Sequence, residues 1–136
     1  MDAFESLISE LRNAALARHF AVDCAQRVVG RLTDRWAKSS LYIAREHACG
    51  YATDALLSAA ENVAWESAAR ESPYSTNAYA AKSVAWATEP DPWILKTVYL
   101  AAECARIAAC DSDAERAWQF ERLHKLLTDG VWTPIV

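Results

Sequence analysis

Three histidines, four cysteines and several close-set acids are the side chains of this sequence with the chemistry to form a site. His19, His47 and His124 fall in three different segments. A metal site on a helix wants ligands one turn apart, at i and i+4. His19 and Asp23 meet that spacing, whereas Cys49, two residues after His47, lies off its face. Neither is a recognised ligand set, so no metal and no cofactor is expected. The acids group as Glu61 with Glu66, Glu89 with Asp91, and Asp111 with Asp113 and Glu115. General acid–base catalysis needs two carboxyls facing each other across a pocket, with their pKa values pushed apart. These acids sit beside expected helix starts or apart on a helix surface, where capping and solvation explain them. There is no G-x-S-x-G, no glycine-rich phosphate loop and no Cys–His context of a known nucleophile. A protein without enzymatic activity is expected. Cys24, Cys49, Cys104 and Cys110 form no C-x-x-C and read as reduced core thiols.

The elements that carry these residues are helical. Alanine supplies 28 of the 136 residues, against three glycines and four prolines. Alanine loses no side-chain entropy in a helix, and its small side chain lets helices approach closely. No β-branched run alternates across a hairpin turn. Phe4, Leu7, Ile8 and Leu11 repeat at helical spacing behind Asp2, a capping residue. A second helix should run from about 14 to 32. Its ridge is Leu16, Phe20, Cys24 and Val28, and its other face carries Arg18, Asp23, Gln26, Arg27 and Arg31. That pattern predicts packing on one side only. Asp34 opens a third helix that Gly50 ends, and Thr53 opens a fourth. A loop spans 70–77, and an alanine helix follows to about 87. Asp91 and Pro92 then suit the N-cap and first position of a helix reaching Cys110. That helix is apolar almost all round and is expected at the centre. The last helix begins near Asp113 and closes at Gly130, leaving a short apolar tail, 131–136. The fold expected is all-α: a single compact domain, 1–136, of six or seven helices. Val63-Ala64-Trp65-Glu66 and Val84-Ala85-Trp86-Ala87 echo each other one helix apart, leaving helical-hairpin repeats open.

Net charge is −4, all of it in the second half: residues 61–136 hold eleven acids and seven bases, residues 1–60 seven of each. An acidic chain is a poor match for nucleic acid. No stretch reaches the length of a membrane span. Asp2 and Glu5 replace the basic start of a secretory leader, so a cytoplasmic setting is expected. Six tryptophans are many for this length, and most should fill gaps between alanine faces. Trp132, beyond the last helix, either clamps the tail to the bundle or stands out as a binding anchor.

Several segments together carry motifs whose order and spacing resemble those of one bacterial family. His19-Phe20-Ala21-Val22-Asp23-Cys24-Ala25-Gln26-Arg27-Val28 is similar to its "(L/F)FA-x-x-CA-x-R" opening. Leu32-Thr33-Asp34 with Ala44-Arg45-Glu46-His47-Ala48-Cys49-Gly50 resembles "LTD … AERYADG". Ala52-Thr53-Asp54-Ala55-Leu56 is similar to "AT-x-x-EL", with Ala55 in place of the acid. Glu115-Arg116-Ala117-Trp118-Gln119 with Leu123, Leu126 and Leu127 resembles the terminal "ER-x-WQ … L-x-x-L" helix. In sum these motifs resemble an alanine-rich bacterial family of immunity proteins over most of 19–130, and the resemblance implies an all-helical protein that neutralises a toxin by binding it. Together with the acidic second half, it selects Glu61, Glu66, Glu89, Asp91 and Trp132 as contacts to a protein toxin. Two alternatives follow from the residues. Alanine faces could stack copies into a self-associating adaptor or homo-oligomer. A ligand site near His19 and Asp23 would require a deep polar pocket.

Overall fold

The structure, a computed structural model, describes residues 2–90 and 94–135, the side chains of Ile94 and Leu95 excepted. It is all-helical: α1 (Ala3–Ile8), α2 (Ala14–Val29), α3 (Arg35–Ala48), α4 (Asp54–Ala69), α5 (Thr76–Ala87), α6 (Ile94–Ala108) and α7 (Ser112–Asp129). Each start from α1 to α5, and that of α7, is fixed by a side-chain oxygen on an otherwise orphaned backbone N–H. Asp2 caps α1, Asn13 caps α2, Asp34 caps α3 and Thr53 caps α4. Ser75 caps α5, and Asp111, two residues before the expected start, caps α7. The expected Asp91 cap and Pro92 start of α6 lie outside the described residues. Gly130 ends α7 in the left-handed region (φ 71°), where a β-carbon would be strained.

The centre of the bundle is α2, with α6 beside it, rather than α6 alone. Ten consecutive residues, Leu16 to Ala25, are buried, and α2 packs against α3, α5, α6 and α7. The expectation that α2 packs on one side fails at Arg18 and Asp23, both buried. Polarity in the sequence marks them for solvent, but each has bonded partners inside the protein, and a satisfied polar group can stay in a core. The α5–α6 contact is the most extensive helix pair, made by small residues: Ala80, Ala81, Ala101, Ala102 and Ala105 are all buried. Ser83 lies buried in α5 and donates its Oγ hydrogen to the Ala101 carbonyl of α6 at 2.7 Å.

Two expectations about large or reactive side chains need correction. Cys24 and Cys104 are buried, but Cys49 and Cys110, at the ends of α3 and α6, are exposed free thiols. None of the five described tryptophans is fully buried: Trp36 is 51% exposed, and Trp65, Trp86, Trp118 and Trp132 line the rim of the core. An indole N–H needs a partner, which favours the rim over an alanine-lined interior. The echoed motifs place Trp65 of α4 edge-on to Trp86 of α5, with ring centroids 4.9 Å apart.

Candidate functional site

Two carboxylate centres stand out, one sealed and one open. The sealed centre is built on Asp23, in the middle of α2 and without solvent exposure. Its Oδ1 accepts from Arg45 Nη2 of α3 at 2.5 Å and its Oδ2 from Arg122 Nε of α7 at 2.8 Å. The Trp132 indole N–H, 3.2 Å from both oxygens, closes the fan of donors. Arg122 also donates from Nη2 to the Thr133 carbonyl at 2.5 Å, so one guanidinium ties the tail to α2. A buried carboxylate is tolerated when its lone pairs are filled in this way.

His19, one turn before Asp23, completes this centre. Its ring stacks on Trp132 with centroids 4.6 Å apart and planes 7° from parallel, and the Arg45 guanidinium lies 4.2 Å from the same indole. Arg45 Nη1 is 2.7 Å from His19 Nδ1. Groups on opposite faces of one ring would be about 7 Å apart by stacking distance, so imidazole and guanidinium share a face. A guanidinium only donates, so Nδ1 is the acceptor and the neutral ring carries its proton on Nε2. Burial, then the Arg45 charge, lowers the His19 pKa from 6.5 to about 4 and keeps the ring neutral. Nε2–H faces Cys49 Sγ at 4.0 Å. A ring with its Nε2 already protonated cannot take the thiol proton there, so this pair lacks the base of a cysteine-nucleophile dyad.

Beside this centre runs a groove of about 360 Å³, walled by Asn13, His19, Cys49, Tyr51 and Trp132. It is open and shallow, unlike the deep polar pocket that a ligand site at His19 and Asp23 required. The i, i+4 pair is real in space, but Arg45, Arg122 and Trp132 occupy the Asp23 oxygens. Among the described residues no three or more His, Cys, Asp or Glu side chains converge as a metal site.

The open centre joins Glu61 of α4 to Glu89, just past the end of α5, by a hydrogen bond between their carboxyls. Burial, then the Glu89 bond and charge, raises the Glu61 pKa from 4.5 to about 7, against the pull of Arg18. The Trp65 N–H donates to Glu89 Oε1 at 3.1 Å, and Arg18 Nη1 donates to the Ala87 carbonyl at 2.9 Å. A single proton between two carboxyls is how such a pair avoids holding two negative charges in contact.

The five residues selected from the sequence therefore separate. Glu61 and Glu89, paired in the sequence with other acids, meet each other across 28 positions. Glu66, five residues on from Glu61, has a side chain 70% exposed, with Arg70 at 3.9 Å. Asp91 lies outside the described residues. Trp132 is half-buried in the clasp on Asp23, as a tail clamp would be. Sequence reading missed Arg45, Arg122 and Cys49 as members of one neighbourhood, and the i, i+4 spacing of His19 and Asp23 was the available signal for it.

Comparison with protein-family models, with curated proteins and with solved structures returns no match.

Proposed function

We propose that this chain is an immunity-type protein that neutralises a bacterial toxin by binding it, without catalysis of its own. The observation that carries the reading is the Glu61–Glu89 contact. Two carboxyls held together at a half-exposed edge cost stability that a cationic side chain of a partner would recover. Arrival of a lysine or arginine would displace the shared proton and turn an unfavourable pair into a charge-assisted contact. The half-buried Trp65 and Trp86 supply apolar surface beside the pair. The acidic second half would also accelerate encounter with a basic partner.

The test joins capture to neutralisation. Tagged protein should recover one stoichiometric partner from its native cells, and co-expression should abolish that partner's toxicity. Glu61→Lys with Glu89→Lys should weaken the complex about 100-fold or more, as a desolvated charge pair at an interface does. Recovery of the bait alone, or a complex indifferent to this double reversal at low salt, would count against the reading.

A further inference from the structure

Three times among the described residues a carboxylate and an aromatic ring share one cation, and each time the cation is arginine. Arg45 bonds Asp23 and lies 4.2 Å over the Trp132 ring, whose N–H also donates to Asp23. Arg27 grips Glu115 with two N–H groups, at 2.7 and 3.1 Å, and lies 4.1 Å over Trp118. Arg116 bonds Glu103 and lies 3.9 Å over Phe4. Two lysines each make one half of this arrangement: Lys125 holds Asp129 at 2.9 Å, and Lys82 lies 5.1 Å over Tyr79. A guanidinium is planar, so its face can stack on a ring while its edge forks onto a carboxylate. An ammonium is a compact point charge without that division of labour.

The Glu61–Glu89 edge has the ring and the carboxylate of that arrangement, and a second carboxyl besides. Trp65 donates its indole N–H to Glu89 as Trp132 does to Asp23, and Trp86 stands edge-on to Trp65. Glu61, Glu89, Trp65 and Trp86 are all half-buried, so the face can be reached from outside. What Glu89 meets beside the indole is the carboxyl of Glu61. Arg18 is held on the Ala87 carbonyl at 2.9 Å, and its charge acts on Glu61 without expelling the proton that the two carboxyls share.

We infer that the cation this edge receives from the partner is an arginine, its guanidinium forked on the two carboxyls and its face against an indole. The inference rests on the partner binding proposed above and narrows its chemistry from any basic side chain to one. Arrival of the guanidinium sends the shared proton to water and leaves both carboxyls ionised around the incoming charge.

The probes are N-acetyl-arginine amide and N-acetyl-lysine amide, titrated against the full chain with the Trp65 and Trp86 indole N–H resonances as the readout. The arginine probe should saturate those shifts at about a fivefold lower concentration than the lysine probe. Its affinity should rise with pH towards 7, where the Glu61 proton is lost, and level off above it. Glu61→Gln with Glu89→Gln should remove the preference, because the paired charges are gone. Equal affinity for both probes at pH 8, or no movement of either indole resonance, would overturn the inference without relying on any variant. The immunity reading is decided separately, by capture and neutralisation. A toxin recovered and silenced would stand even if its contact here were a lysine. An arginine preference with no toxin recovered would leave the site and remove that purpose for it.

Discussion

Asp23 and Glu61 are both carboxylates within the helical bundle, and they are handled in opposite ways. Asp23 is the more deeply buried, yet two guanidiniums and an indole N–H fill its lone pairs. Glu61 is less buried, but its hydrogen-bonding neighbour is another acid. Depth alone would assign the greater cost to Asp23, and partner chemistry reverses that order. The sealed centre is structural: it fixes α2, α3, α7 and the tail to one point. The open centre is the one with something to gain from an added cation.

The largest effect that could break this contrast is at Asp23. Asp23→Ala should destabilise the fold by about 3–5 kcal/mol, because the buried Arg122 and the half-buried Arg45 are left as charges without their acceptor. Urea unfolding measures it, and a loss below about 1 kcal/mol would mean the clasp is not the anchor described. A triple change, Asp23→Leu with Arg45→Met and Arg122→Met, should recover much of that loss, since removing every charge leaves none uncompensated. Next in size is Trp132→Ala, expected to cost about 2 kcal/mol through the lost stack and N–H donor. Trp132→Phe should keep more of the stack and isolate the contribution of the indole N–H.

The smallest effects are in pH dependence, and they sharpen the contrast most. Glu61 has a folded pKa raised above its unfolded value of 4.5 to about 7. The folded state therefore holds more proton between those values, and stability from this group is present below pH 4.5 and lost as pH rises through 7. His19 has a folded pKa lowered from 6.5 to about 4. There the unfolded state binds more proton, so stability rises with pH across that window, by at most about 1.4 kcal/mol per unit. The two slopes oppose each other where they overlap. Glu61→Gln should raise the melting temperature at pH 8, leave it nearly unchanged at pH 4, and unmask the rising His19 slope between. The gain should be about 1 kcal/mol or less, since solvent screens a half-exposed pair. Equal shifts at pH 4 and pH 8 would mean that the carboxyl pair is not coupled.

Helix positions were legible in the sequence because their signals are local. Asp2, Asp34 and Thr53 cap helices that their spacing predicts, and Gly130 stops α7 by a backbone geometry it tolerates best. The centre of the bundle was misread for a definite reason. A polar–apolar pattern assigns Arg18 and Asp23 to water, because it carries no information on the Ala87 carbonyl or on Arg122, 69 and 99 residues away, that satisfy them. The same limit hid the Glu61–Glu89 contact, whose members come from different elements. His19 and Asp23 were visible as a pair one turn apart, but their shared partner Arg45, 26 and 22 residues on, was not.

The contact between Asp23 and Trp132 spans 109 residues, while most of the bundle is held by neighbouring helices. On a ribosome α2 is finished long before the segment that seals it exists. Until then Asp23 must keep water at a position the mature bundle leaves dry. Neighbouring helices can pair early and quickly, since little loop entropy opposes them. Late docking of Trp132 would make its contacts a barrier to unfolding rather than to folding. Weakening it should shorten the lifetime of the folded state while leaving the speed of its formation nearly untouched.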